Sequence, residues 1–128
     1  MSELNLKKKR STRRIKRVRR KVMGTLQRPR LAFKRSNRHI YAQLIDDIGG
    51  KTIGMVATTS KEFSPSAGSA SKKKSLKNSK TAIQVAEAVY EMCSKKKIKQ
   101  IVFDRRGKRY HTVLKSFADK LREKGIEF

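Results

Sequence analysis

Several residue types are scarce in this 128-residue sequence, which has one cysteine, no tryptophan and two prolines. A single cysteine excludes an internal disulfide and a cysteine-ligated zinc site, and it favours a reducing compartment. There is no run of about 18 or more apolar residues, so no membrane-spanning helix is predicted. No apolar stretch typical of a secretory signal follows Met1, so we expect the chain to stay in the cytosol or an equivalent interior. The hydrophobic fraction of 36% predicts a small core.

Acidic residues are also scarce. Ten Asp and Glu stand against 35 Lys and Arg, which gives a net charge of +25. A chain this basic repels itself unless a polyanion neutralises it, and Lys and Arg gain affinity for phosphates by releasing condensed counterions. A membrane surface is disfavoured because no amphipathic helix with a substantial apolar face is present. We therefore expect a nucleic acid as partner, with no membrane and no small-molecule substrate.

The charge is concentrated in residues 1–28, which we call the arm. On a helix, Ile15 and Val18 begin one narrow apolar stripe, and Gly24 is a natural C-terminal stop. Blocks of like charge repel, so we expect the arm to be disordered when free and helical once phosphates neutralise it. Its predicted contacts with the nucleic-acid backbone are Lys7, Lys8, Lys9, Arg10, Arg13, Arg14, Lys16, Arg17, Arg19, Arg20 and Lys21.

Residues 29–128 predict a single α/β domain. Three strands around Leu31–Phe33, Ile40–Asp46 and Thr52–Thr59 are joined by short turns, which is typical of an antiparallel meander. A Ser- and Lys-rich loop at about 60–78 follows. Helical spacing, a short apolar run and a second stretch of helical spacing then complete the order βββαβα.

The expected sheet is mixed. The apolar run Ile101–Phe103 follows a helix crossover, so it predicts a strand parallel to its neighbour. Its continuous hydrophobicity favours a central position covered on both faces. The two helices are expected on one face of the sheet, and the basic helical arm precedes the domain.

Two groups of residues in the folded part are predicted to contact RNA. Arg suits phosphate, Ser and Asn suit sugar or base edges, and Tyr suits stacking on an exposed base. The first group, on or between the first two strands, comprises Arg28, Arg30, Arg35, Ser36, Asn37, His39 and Tyr41. The second, between the last strand and the last helix, comprises Arg105, Arg106, Lys108, Arg109, Tyr110 and His111. Asn37 reads equally well as a turn residue.

No catalytic group, cofactor or metal site is predicted. Asp46, Asp47 and Asp104 could be imagined as the metal-binding cluster of a nuclease, but adjacent carboxylates at a Gly-Gly turn are more typical of the turn itself. The two histidines have no Ser or Cys nucleophile at a recognisable spacing. Cys93 lies on the apolar stripe of a helix, where we expect a buried and unreactive thiol.

An ordered set of segments resembles one known family. The segments are Arg28-Pro-Arg-Leu, Arg35-Ser-Asn-Arg-His-Ile-Tyr-Ala-Gln, Ile45-Asp46, Gly50-Lys-Thr52, the helix with Ala82 and Ala86, Ile101-Val-Phe-Asp-Arg105, Gly107, Tyr110-His111 and the terminal Gly-Ile-Glu-Phe. They cover essentially the whole chain, and they resemble the bacterial-type eighteenth protein of the large ribosomal subunit, which binds 5S rRNA. Four positions depart from the family pattern: Lys34 and Lys108 stand where an aromatic is usual, and Arg106 and Thr112 stand where glycine is usual.

The resemblance implies a structural protein that binds 5S rRNA and joins it to the large-subunit rRNA in the central protuberance, beside neighbouring ribosomal proteins. It also implies a cytoplasmic ribosome and no enzymatic step. An organellar ribosome stays open, because an Arg-rich start is also found in transit peptides. The alternative function is a non-specific nucleoid-type DNA-binding protein, which explains the charge but not the segment from Arg35 to Gln43.

Overall fold

A computed structural model describes residues 2–60 and 79–128. The described elements are helix α1 (Glu3–Lys21), strands β1 (Arg30–Arg35), β2 (Ile40–Asp46) and β3 (Lys51–Ala57), helix α2 (Ser79–Lys95), strand β4 (Val102–Asp104) and helix α3 (Thr112–Glu123). The predicted order of a helical arm followed by βββαβα is confirmed. The predicted Ser- and Lys-rich loop lies, apart from Ser60, outside the described residues.

The described strands form a mixed sheet in the order β3-β2-β1-β4. The first three strands are antiparallel neighbours, which confirms the meander. β4 runs parallel to β1 and pairs Phe103 with Leu31, as the crossover through α2 predicts. The predicted central position of this strand is wrong, because β4 lies at the sheet edge. Its hydrophobicity serves packing instead, since the Phe103 ring lies 5.4 Å from Phe128 and 6.1 Å from Phe117.

The core lies between one face of the sheet and helices α2 and α3. Residues alternate along β2, so Ala42 and Leu44 are buried under the helices while Tyr41 and Gln43 are half-exposed on the opposite face. Phe33 packs on Phe117 of α3 with their ring centroids 4.7 Å apart. Burying one such side chain contributes about 1.5–3 kcal/mol. The predicted covering of one sheet face by two helices is confirmed.

Gly24 does not end the arm helix, contrary to the sequence-based expectation. α1 ends at Lys21, and Val22 already has extended backbone angles. Gly24 lies two residues after Val22 and is buried. It packs so closely against the backbone of Arg30 and Ile45 that an added Cβ would collide with both. The glycine therefore allows the chain to pass close to the sheet between α1 and β1. No helix in the described ranges is long and apolar enough to cross a membrane.

Candidate nucleic-acid interface

A cavity of about 570 Å³ forms where the arm meets the two predicted groups of RNA-binding residues. One wall comes from α1, a second from the end of β1 and the turn after it, and a third from the loop between β4 and α3. The lining residues are Ser11, Ile15, Phe33, Lys34, Arg35, Ser36, Asn37, Arg106, Lys108, Arg109, His111, Thr112, Val113 and Leu114. The fold thus brings together segments that lie about 70 residues apart in the sequence.

The cavity combines a cationic rim with an apolar floor. Five of the lining residues are Lys or Arg, and none of them is acidic. Phe33, Val113 and Leu114 are buried and supply apolar surface beneath this rim. Such an arrangement suits a ligand that has a flat apolar part and negative charge around it, which is the chemistry of an unstacked nucleotide. Sequence reasoning missed Lys34, Ser11 and the apolar floor, because nothing local indicates that they converge.

The arm presents its charge to solvent. All eleven Lys and Arg side chains predicted to contact the backbone, between Lys7 and Lys21, are exposed, and no residue of α1 is buried. Because no residue of α1 is buried, its position depends on local contacts such as that between Gly107 and Ile15 rather than on a core. Its exposed cations are available for phosphates along about 28 Å of helix, at about 1.5 Å per residue.

The Ser36 side chain forms hydrogen bonds within the turn between β1 and β2. Its hydroxyl accepts hydrogen bonds from the backbone amides of Arg38 and His39 and lies 3.2 Å from the His39 carbonyl oxygen. The Ser36 amide also donates to that carbonyl. Ser36 therefore shapes the turn that carries Asn37 into the cavity wall. Its predicted contact with a sugar or base edge would have to compete with these bonds.

His39 and Tyr41 lie outside the cavity. The Nδ1 atom of His39 is 3.0 Å from the Thr58 hydroxyl, and that hydroxyl also accepts the amide of Ile40. The hydroxyl has one proton to donate, which Nδ1 accepts when the ring proton is on Nε2. The His39 ring meets the Tyr41 ring edge to face at 6.5 Å. The pair forms a small aromatic platform on the open side of the sheet.

Arg30 is turned into the protein rather than toward a ligand. It is 6% exposed and forms two hydrogen bonds of 2.9 Å with the carboxylate of Asp47, through Nε and Nη2. Its Nη1 atom donates to Asp104 at 2.8 Å. These bonds raise the pKa of Arg30, and the Arg30 hydrogen bond is the main reason that the pKa of Asp47 is lowered. We therefore leave Arg30 out of the proposed RNA contacts.

The three aspartates considered for a nuclease have structural partners. Asp46 accepts the amides of Ile48 and Gly49 at 3.1 Å, as expected of a turn residue. Asp47 and Asp104 do converge, but on the guanidinium of Arg30. Within residues 2–60 and 79–128, no three His, Cys, Asp or Glu side chains are grouped so that they could hold a metal ion.

The remaining predicted contacts divide into exposed and engaged side chains. Arg105 is exposed but does not line the cavity. Arg28 is exposed, although its Nε donates to the Ile101 carbonyl at 3.3 Å. Tyr110 is engaged with α3, because its hydroxyl accepts from Arg122 at 2.9 Å and donates to Asp119 at 3.3 Å. The Arg122 guanidinium also stacks over Phe128 at 4.5 Å, so Tyr110 helps to fix the C-terminus.

The loop wall of the cavity has an uncommon backbone. Arg106 and Thr112 have φ values of +52° and +43°, in the left-handed region that favours glycine, and Gly107 lies between them at +70°. Arg106 and Thr112 are the two positions where the resembling family usually has glycine. The Arg106 amide donates to Asp104 at 2.8 Å, which holds the start of this loop. The chain thus keeps a glycine-type conformation while it places an additional cation at the rim.

Comparison with known families identifies the family of this chain. A family model described as "Ribosomal L18 of archaea, bacteria, mitoch. and chloroplast" matches residues 5–128. The chain belongs to the ribosomal L18 family. The match includes most of α1, the sheet and both covering helices, so the arm is part of the family pattern and not an appendage. The resemblance inferred from the ordered sequence segments is confirmed.

Curated relatives of the ribosomal L18 family align along most of the chain. The large ribosomal subunit protein uL18 of Aquifex aeolicus (strain VF5) is 44% identical over 128 residues, covering 100% of each chain. The protein of the same name from Kosmotoga olearia is 46% identical over 114 residues, covering 88% of this chain and 87% of the relative. The uL18 of Staphylococcus saprophyticus is 44% identical over 112 residues, covering 88% of this chain and 87% of the relative. The family is one of ribosomal structural proteins, not of enzymes.

Proposed function

We propose that this chain binds 5S rRNA and helps to attach it to the large-subunit rRNA in the central protuberance, beside neighbouring ribosomal proteins and without an enzymatic step. As a member of the ribosomal L18 family of bacterial type, it is a constituent of the large ribosomal subunit in the cytoplasm, with rRNA and ribosomal proteins as partners. That the bound rRNA is 5S rRNA is what the resemblance to the family implies, and the cationic cavity supports contact with a folded RNA.

The observation that carries the proposal is the acid-free cavity between α1, the Ser36–Asn37 turn and the 106–112 loop. An RNA helix hides its base edges in a deep major groove, so proteins that discriminate among RNAs engage phosphates, 2′-hydroxyl groups and unstacked loop nucleotides. The cationic rim suits phosphates, and the apolar floor at Phe33 suits one unstacked base. The cavity thus supplies a site for a folded RNA that a uniform duplex does not fill.

The exposed cations of the arm and the cavity have different roles in this proposal, although Ser11 and Ile15 of α1 also form one cavity wall. The exposed cations of α1 follow phosphate charge and therefore supply affinity that is independent of sequence. The cavity, together with the His39–Tyr41 platform, supplies discrimination among RNAs. Stacking of a base on an aromatic ring contributes about 1–3 kcal/mol, which is enough to distinguish RNAs that carry a loop nucleotide in the right place.

A binding titration tests the proposal. The full chain is titrated at about 0.2 M salt with matched 5S rRNA, an unrelated structured RNA and duplex DNA, because non-specific electrostatic binding weakens steeply with salt. We expect a preference for 5S rRNA of about 100-fold or more, which corresponds to roughly 2.7 kcal/mol. Equal binding to all three nucleic acids would contradict the proposal and favour the nucleoid-type alternative.

Two variants with the same change in charge test whether the cavity causes the preference for 5S rRNA. Arg35→Ala removes a cation from the cavity rim, whereas Lys80→Ala removes an exposed cation from the first turn of α2, away from the cavity. We expect Arg35→Ala to reduce the preference for 5S rRNA over duplex DNA and Lys80→Ala to leave that ratio unchanged. An equal reduction in both variants would indicate that net charge alone determines binding.

A further inference from the structure

One guanidinium connects the arm wall and the loop wall of the cavity. Arg30 lies in β1, in the middle of the sheet, and holds Asp47 on one side and Asp104 on the other. Asp47 follows β2, and Asp104 is the last residue of β4. Each carboxylate uses oxygen atoms for a second partner outside the sheet, and those two partners belong to the arm and to the basic loop.

Asp47 anchors the root of the arm. Its Oδ2 atom accepts the Gly24 amide at 2.8 Å, and its own amide donates to the Gly24 carbonyl at 3.0 Å. Gly24 is the first buried residue after α1, and its close approach to Arg30 and Ile45 tolerates no side chain. The direction in which α1 leaves the sheet is therefore set at this point, three residues after the helix ends.

Asp104 anchors the basic loop in the same way. Its Oδ2 atom accepts Arg30 Nη1, and its Oδ1 atom accepts the Arg106 amide, both at 2.8 Å. Arg106 begins the left-handed stretch that turns Lys108 and Arg109 toward the cavity. Gly107 in this loop then approaches the backbone of α1 at Ile15. The arm and the loop are therefore each bonded to the sheet through a carboxylate that Arg30 holds, and they also contact each other directly.

We propose that Arg30 is a positioning residue for RNA binding, which fixes the arm through Asp47 and the basic loop through Asp104 so that both cavity walls are preorganised. The inference rests on the proposed function. It predicts that Asp47 favours RNA binding, although the negative charge of a carboxylate in a cationic interface would by itself repel RNA. By holding the arm in place, this carboxylate strengthens binding, since less freedom is lost when RNA is bound.

A pair of variants with the same change in charge separates the two effects. Asp47→Ala removes the anchor and raises the net charge by one, and Glu91→Ala raises it equally at an exposed position on α2. We expect Asp47→Ala to bind 5S rRNA about tenfold more weakly at about 0.2 M salt, the order expected when preorganisation is removed. Glu91→Ala is expected to bind as tightly as the unmodified chain or slightly more tightly.

The position of the arm is measured independently of RNA. In the full chain carrying Cys93→Ala, spin labels at Thr12→Cys on α1 and Lys115→Cys on α3, both exposed, report the distance between the arm and the domain. We expect Asp47→Ala, but not Glu91→Ala, to broaden this distance distribution. If Asp47→Ala does not fold, Asp47→Asn replaces it, because the amide keeps the size and one acceptor oxygen.

The outcomes distinguish this inference from the proposed function. A distribution that stays narrow in the Asp47 variant, or an RNA affinity that rises equally in both variants, would overturn the positioning role. Equal affinity of the unmodified chain for 5S rRNA and duplex DNA would instead contradict the proposed function, while the label distances would still decide whether Asp47, the partner of Arg30, holds the arm.

Discussion

Gly107 lies against the backbone of Ile15. A Cβ atom at Gly107 would stand 3.3 Å from the Ile15 amide nitrogen and 3.1 Å from the Cβ of Arg14, which is closer than side-chain carbons normally come. The glycine also has a φ of +70°, which other residues adopt at a cost. One residue of the loop therefore satisfies both the turn and the contact that keeps α1 beside the cavity.

Two glycine substitutions measure that contact. Gly107→Ala and Gly50→Ala both place a side chain at a positive φ, of +70° and +64°, but nothing lies within 4 Å of the added Cβ at Gly50. We expect each variant to lose about 1–2 kcal/mol of unfolding free energy, measured by denaturant titration, because of the backbone conformation. Only Gly107→Ala should also weaken RNA binding. Equal RNA affinities in the two variants would show that the loop does not need to contact α1.

Substitution of Arg106 tests the left-handed backbone at the cavity rim. Arg106→Gly and Arg106→Ala remove the same charge, but only glycine adopts a φ of +52° without steric cost. We expect the glycine variant to be more stable than the alanine variant by about 1 kcal/mol, as measured by chemical unfolding. Both should bind RNA more weakly than the unmodified chain. If the alanine variant is as stable as the glycine variant, residue 106 does not have a positive φ in solution.

The sequence predicted the parts of the fold that depend on local periodicity. Alternation around Ala42 and Leu44 and the helical spacing of Val85 and Val89 specify which face of each element is buried, whatever lies opposite. The edge position of β4 was not predictable in the same way. Its apolar run reflects packing of Phe103 against the C-terminal Phe128, a contact between segments that sequence spacing does not connect.

The candidate site was predicted in composition but not in geometry. Arg35 and Arg109 are basic residues beside aromatic and polar neighbours, so local pattern was sufficient to select them. Arg30 is also basic and lies between Pro29 and Leu31, but its carboxylate partners are 17 and 74 residues away, and only the fold shows that its charge is already matched. Gly24 fits the pattern of a helix end because glycine commonly ends helices, whereas a close approach to the sheet requires it here.

Cys93 should be unreactive in the folded protein. The residue is fully buried in the core, and burial raises the pKa of its thiol to about 11. At pH 8 almost no thiolate is present, so we expect slow reaction with a thiol-specific reagent until denaturant exposes the side chain. Because the pKa is raised, the contribution of the protonated Cys93 thiol to the free energy of unfolding is fully present below about pH 9 and is lost as the pH rises toward 11. Rapid labelling without denaturant would contradict the buried position.

Asp47 should contribute to acid sensitivity. The Arg30 hydrogen bond lowers the pKa of Asp47 below its usual 3.8, so the folded state favours the ionised carboxylate. Its stabilising contribution is fully present above about pH 4 and is lost as the pH falls through the lowered pKa. We expect Asp47→Asn to lower stability at pH 7 and to lose less stability than the unmodified chain between pH 4 and pH 2, by thermal unfolding at each pH. Parallel pH profiles for the two proteins would show that this carboxylate titrates normally.

Removal of residues 1–21 isolates the contribution of the arm. This truncation ends at the last residue of α1 and keeps Gly24, whose bonds to Asp47 belong to the sheet. It removes eleven Lys and Arg, so the salt dependence of RNA binding should become shallower by about 0.7–0.9 for each phosphate that these cations neutralise. The truncation also removes Ser11 and Ile15 from one cavity wall, but most of the preference for 5S rRNA over an unrelated RNA should persist, since Arg35, Asn37 and Arg109 remain. An unchanged slope in titrations between about 0.05 and 0.2 M salt, where affinity that depends on phosphate contacts falls steeply, would show that α1 does not contact phosphates.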